Sequence, residues 1–322
     1  MARFLIRRTL QGLLVLWLMT VTVFGIFFLG PGPKFVARVL AGRQASAQQV
    51  AEVAHRLHLD QPWYKQYWHF FTGLLHGNLG YDYYNSQPVS KVILSAFPIT
   101  LSLVVGAAVL WLAVGLATGI ISAVKTRSIW DRTFTTMALL FYSMATFVLG
   151  LLFILVFYWY FSNHGLAIFP APGSYTAITH NPLTWAHDLI LPWLTIALVS
   201  AATYTRLTRG SMLDVFGEDY IRTARSKGMS ERRLILRHNL RASLTPVVTQ
   251  FGLDVGVLIG GAIITETVFG LPGLGWTSLK AVYAQDLPLV MGVVIVASAG
   301  VIVANLLVDI GYAVLDPRVR LH

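Results

Sequence analysis

Tyr220-Ile221-Arg222-Thr223-Ala224-Arg225-Ser226-Lys227-Gly228-Met229-Ser230-Glu231-Arg232-Arg233, running on to Asn239 and Pro246, is a basic stretch set between two apolar ones at 189–205 and 247–268. Ala224 and Gly228 are four residues apart, the spacing of one helix face, and leave that face nearly bare to an approaching backbone. Gly228 can also take the left-handed conformation that ends a helix. Ser230 then suits the cap of a following helix, with Glu231 well placed against its positive end. The pattern predicts a helix-glycine-helix elbow between two membrane spans, surrounded by Arg222, Arg225, Lys227, Arg232, Arg233, Arg237 and Arg241. Pro246 suits the first turn of the span that follows.

Composition supports the membrane reading. Hydrophobic residues make up 56% of the 322, charged residues only 12%, and the mean hydropathy is +0.65. Such a chain has too little polar surface to cover a soluble globule. The net charge of +10 would suggest nucleic acid in a soluble protein. Here the basic residues flank apolar spans, which topology explains and nucleic-acid binding does not. With no cysteine, disulfides, thiol catalysis and thiolate metal sites are excluded.

A membrane-crossing helix needs about 20 apolar residues. Six intervals qualify: 9–30, 99–124 entered through Pro98, 133–161, 189–205 with Pro192, 247–268 after Pro246, and 289–312. The first follows Arg3, Arg7 and Arg8 and is too long for a signal-peptide core, so an uncleaved anchor is expected. The N-terminus, the 124–132 loop, the 206–246 loop and the C-terminal tail carry 17 Lys and Arg in total. The short opposite connections, 162–188 and 269–288, carry one. Because basic residues are retained in the cytoplasm, both termini are expected inside. The expected organisation is an all-α protein of six transmembrane helices. Residues 1–30 form the tail and first helix, 31–98 an extracytoplasmic segment, and 99–322 a five-helix transmembrane domain. In the external segment, Val50, Val53, Ala54 and Leu57 recur at helical spacing, and Trp63, Tyr64, Tyr67, Trp68, Phe70 and Phe71 cluster. An amphipathic, aromatic-rich helix against the outer membrane face is expected, with an external partner as the other use of that surface.

The elbow, with Glu266-Thr267-Val268-Phe269, Leu271-Pro272-Gly273-Leu274-Gly275, Leu59-Asp60-Gln61-Pro62, Gly77-Asn78-Leu79-Gly80 and Asp316-Pro317-Arg318, resembles the inner-membrane permease subunits of ABC importers. The similar group is that for dipeptides, oligopeptides and nickel. The general signature of these permeases, Glu-Ala-Ala followed by three residues and Gly, aligns with Arg222-Thr223-Ala224 and Gly228. Two of its first three positions differ, and Arg-Thr-Ala-Arg-x-Lys-Gly looks like the peptide-group form. The resemblance implies a multi-pass permease in the bacterial cytoplasmic (inner) membrane, paired as a heterodimer with a paralogous permease subunit. It further implies two ABC ATPase subunits and an extracytoplasmic substrate-binding protein. Peptides are the leading cargo, and nickel or another small solute of the same group is the alternative. In that family a coupling helix sits in a groove of the ATPase. Carried over, Arg222, Thr223, Ala224, Arg225, Lys227, Gly228, Ser230, Glu231, Arg232 and Arg233 would form that contact. No Gly-x-x-x-x-Gly-Lys-Ser/Thr phosphate loop is present, so ATP and Mg would be used by the partner subunits, with no cofactor bound by this chain.

Gly270 to Gly275 superficially resembles a nucleotide loop, but no strand is expected before it. The resemblance makes Pro272, Gly273 and Gly275 a turn that re-enters or caps the translocation path. Asp254, Glu266 and Asp309 occupy or border spans, where an unpaired carboxylate costs roughly 2.5–3.5 kcal/mol. Pairing or snorkelling suits Glu266 and Asp309. Asp254 is the stronger candidate for a functional or inter-helix contact, and it keeps an ion-coupled carrier in view. His55 and His58 fall on a polar stretch and make a weak metal pair. No catalytic constellation stands out.

Overall fold

The computed structural model describes residues 2–30, 32–41, 45–56, 59–82, 87–166 and 168–315. His58 and Asp316-Pro317-Arg318 lie outside the described residues, as does the side chain of Asp309. Among the described residues the regular structure is helical apart from a two-residue antiparallel ladder, β1 (Tyr81–Asp82) with β2 (Gln87–Pro88).

Helix α1 (Ala2–Phe24) continues through a π turn, Gly25–Leu29, and is followed by the short helices α2 (Pro33–Ala41), α3 (Ala47–Arg56) and α4 (Trp63–Leu75). The aromatic helix α4 folds back on α1: Phe24, Phe28, Tyr67 and Phe70 form a ring cluster, and Thr20 and Tyr67 share a 3.0 Å hydroxyl contact. Trp63, Tyr64 and Trp68 face away and stay exposed, the disposition of rings at a membrane interface.

Helices α5 (Val89–Val124) and α9 (Pro182–Phe216), of 36 and 35 residues, make the most extensive helix contact of the fold. At 1.5 Å per residue each is about 50 Å long, more than the ~30 Å hydrocarbon core, so both project beyond it. Small residues let them approach. A Cβ at Gly115 would fall 2.5 Å from the Tyr204 Cβ, and one at Gly119 2.7 Å from the Thr208 Cβ. Close backbone packing of this kind drives helix association where lipid offers no hydrophobic gain. Leu103, Trp111, Leu189 and Tyr204 are fully buried around this seam.

Five helices are long and apolar enough to cross a membrane, and a bent pair, Glu231–Leu258 with Ile263–Phe269 at 57°, brings the number to six among the described residues. Several expected boundaries are corrected. Pro98 and Pro246 lie inside helices and do not start them, because α5 begins at Val89 and α12 (Leu240–Gly261) runs straight on from the elbow. The fourth span extends well past 189–205 in both directions. The third is broken: α6 (Ile129–Ser143) ends where Met144 and Ala145 become extended, and α7 (Thr146–Phe153) carries the crossing through a π turn, Ile154–Tyr160, to α8 (Phe161–Asn163). α6 is held against α9 by Arg209, whose Nε and Nη2 donate to Asp131 at 2.7 and 3.0 Å. That guanidinium holds the Asp131 carboxyl below the usual carboxylate range.

Candidate functional site

Past the end of α9 the chain forms α10 (Asp219–Ser226), turns, and starts again as α11 (Glu231–Arg233), which passes through a π turn, Leu234–Asn239, into α12. Gly228 takes φ +77°, as expected. The Met229 N–H donates to the Ala224 carbonyl at 3.3 Å and the Gly228 N–H to the Arg225 carbonyl at 3.0 Å, the two crossed bonds of a left-handed helix stop. Gly228 therefore lies one residue beyond the helix cap, not on a common helical face with Ala224; the left-handed turn takes it off the cylinder. Ser230 occupies the N-cap position of α11, as expected, and its carbonyl accepts the first helical bond from the Leu234 N–H at 2.9 Å, but its hydroxyl makes no capping bond.

The turn is braced from both sides. Arg225 donates from Nε and Nη2 to the two Glu231 oxygens at 2.7 and 3.3 Å, a fork across the glycine. Underneath, Ile221, Leu234 and Met212 are fully buried where α10, the π turn and the end of α9 meet. The Asn239 amide donates to the Met212 carbonyl at 3.0 Å. The elbow is thus packed and hydrogen-bonded onto the ends of α9 and α12. Its surface is open: Arg222, Thr223, Arg225, Lys227, Gly228, Ser230, Glu231, Arg232 and Arg233 are exposed, and among the described residues nothing beyond its chain neighbours lies within 4 Å of a Cβ at Gly228.

At the far end of α12, α13 (Ile263–Phe269) and α14 (Leu274–Ala284) form a helical hairpin. Gly270, at φ +66°, stops α13 with the Leu271 N–H bonded to the Glu266 carbonyl at 2.8 Å. The fully buried Glu266 side chain then takes a bond from Thr100 on α5 at 2.6 Å and one from the Trp276 N–H at 2.9 Å. Thr100 also accepts from the Leu274 N–H at 2.8 Å. Glu266 and Thr100 together cap α14, whose first N–H groups would otherwise be orphans. Gly273 and Gly275 are small for a reason: a Cβ on the first would fall 2.3 Å from Glu266 Oε1, and one on the second 2.7 Å from the Ile263 Cα. Pro272 is exposed at the tip. Glu266, Gly273 and Gly275 are therefore one unit, and helices flank the glycine-rich turn on both sides.

Asp254 stands apart from that unit, on α12. Its Oδ2 accepts from the buried Tyr204 hydroxyl of α9 at 2.8 Å, and its Oδ1 from the Gln250 amide at 2.8 Å. Neither partner, nor Thr100, nor Arg209 as a structural cation, is marked in the sequence; Thr and Tyr in apolar helices carry no local signal of the carboxylate they meet.

Two family models match. Residues 115–321 match the binding-protein-dependent transport system inner membrane component, and residues 1–104 match the N-terminal part of a binding-protein-dependent transport system membrane component. The dipeptide transport system permease protein DppB of Escherichia coli K12 is 36% identical over 343 aligned residues, covering 99% of each chain. The glutathione transport system permease protein GsiC of the same strain is 38% identical over 321, again 99% of each.

Proposed function

This chain belongs to the family of binding-protein-dependent transport system inner membrane components, and on that premise we propose that it passes short peptides through the membrane. The cargo is handed over by a substrate-binding protein outside, and energy comes from separate ATPase subunits. The names of the similar permeases, dipeptide and glutathione, support peptide cargo. The observation that carries the energy part is the elbow: a braced, exposed, basic turn fixed to the ends of two long helices. A rigid connector of that kind converts movement of a docked subunit into movement of α9 and α12, as alternating access requires. Arg222 to Gly228 and Ser230 to Arg233 form the docking surface. ATP and Mg stay with the ATPases, since this sequence has no phosphate loop.

The distribution of Lys and Arg supports placing both termini and the elbow in the cytoplasm, with α2 to α4 and the α13–α14 hairpin outside. A paralogous permease completes a heterodimer, with two ATPases below it. The test is ATP-driven uptake of a labelled dipeptide into liposomes holding this chain, the second permease and the ATPases, with the binding protein added. Uptake requires all components. Accumulation by this chain alone, driven by a proton or sodium gradient, would favour the carrier that Asp254 keeps in view.

A further inference from the structure

Asp254 lies among Leu253, Val255, Val257 and Leu258, within the apolar part of α12. Among the described residues its hydrogen-bond partners are Tyr204 and Gln250, one on each oxygen. A carboxylate offers about four acceptor positions, so two remain. The side chain is half-buried, and it borders a face of α12 that the described residues leave uncovered, with Leu253 62% and Val257 72% exposed. A carboxylate opening toward lipid is strongly disfavoured, so this face meets a partner or a water-filled path. Its chemistry calls for a cation. Tyr204, fixed in the α5–α9 seam, and Gln250, one helical turn back, hold the carboxylate in place. Both donate to it, and neither neutralises it.

Resting on the peptide-importer reading, we propose that Asp254, held by Tyr204 and Gln250, is a station on the translocation path for the terminal ammonium of the peptide. The ammonium carries one positive charge, which the uncompensated carboxylate balances, and two of its three donors can fill the two free acceptor positions. The competing role is a plain pin between α9 and α12. Asp254→Asn separates the two, because the amide oxygen still accepts from the Tyr204 hydroxyl while the charge is gone.

The experiment uses the permease–ATPase complex in lipid nanodiscs without the binding protein, titrated with alanyl-alanine and with N-acetyl-alanyl-alanine. The parent should prefer the free amine by about tenfold or more, the scale of a well-placed charge pair. Asp254→Asn should erase the preference, and Asp254→Glu should keep most of it. Equal affinity for the two peptides in the parent, no measurable binding of either, or a preference that survives Asp254→Asn overturns the assignment. Uptake of alanyl-alanine by the complete parent system is measured alongside. Absence of that uptake would mean that the peptide reading itself has failed. Normal uptake without amine discrimination at the nanodisc complex removes only the role of Asp254.

Discussion

Gly273→Ala puts a methyl group where the buried Glu266 carboxyl sits. The backbone itself tolerates the change, since φ is −81°. The new Cβ would lie 2.3 to 2.6 Å from the carboxyl atoms, so the side chain of Glu266 must leave. Its departure strips a hydrogen-bond partner from the Thr100 hydroxyl and from the Trp276 N–H. Each buried donor left unsatisfied costs about 1–3 kcal/mol, which places the total at about 2–6 kcal/mol. The loss is local, at the mooring of α14 to α5, so the complex should still insert and assemble. The purified complex should unfold several degrees earlier, and uptake should fall. Thr100→Val should reproduce part of the effect by removing the bridge between Glu266 and Leu274. The sharper assay is the double variant: with Glu266→Ala in place, the methyl at 273 has room, and adding Gly273→Ala should cost little more. Strict additivity of the two changes, or an unfolding temperature unchanged by Gly273→Ala, would refute the capping account.

Gly228→Ala and Gly228→Val should cost about 1–2 kcal/mol in backbone strain, too little to prevent insertion. Because the chain leaves the position open, any severe loss of uptake or of ATPase association, greatest for Val, reports a clash with a docked subunit. Arg232→Gln, an exposed charge in a basic loop, should be mild by comparison. Arg209→Gln should loosen α6 from α9 by about 1–3 kcal/mol, read as earlier thermal unfolding. Since Arg209 lowers the Asp131 pKa, the pair's contribution is whole above the ordinary aspartate range and is lost as pH falls through the depressed value; an acid-unfolding series on parent and Asp131→Asn checks this. Replacing Trp63 and Trp68 by Phe should reduce the fluorescence quenchable by lipids brominated near the headgroup, as their exposed rings require.

The left-handed stop at Gly228 and the apolar spans were legible because they follow from local chemistry: one glycine, one period, one length. The break at Met144 and Ala145 was not, since no glycine or proline marks it and hydropathy runs through unchanged. Pro246 misled in the opposite sense, as the helix absorbs it without stopping. Ser230 stands at the N-cap that its residue type suggests, yet its hydroxyl makes no capping bond. The candidate site was read in fragments. Glu266 and Gly273 both stand out in the sequence, but the bridge from Glu266 to α5 and Leu274 runs through Thr100, which is 166 residues from Glu266. Tyr204 and Asp254 meet across 50 residues, and Arg209, counted among basic loop residues, is a strut inside α9. Pairings made only by packing leave no trace in spacing.

The absence of cysteine in this chain allows the most direct test of the elbow as the docking site. A single cysteine introduced as Lys227→Cys, beside Gly228, is compared with one introduced as Tyr283→Cys, which is 79% exposed on the α13–α14 hairpin. Both are carried in the assembled complex and treated with a short heterobifunctional thiol–amine cross-linker, with adducts identified by mass spectrometry. An ATPase adduct is expected at residue 227 and none at 283. An ATPase adduct at 283, or none at 227 in a complex that still drives uptake, would contradict it.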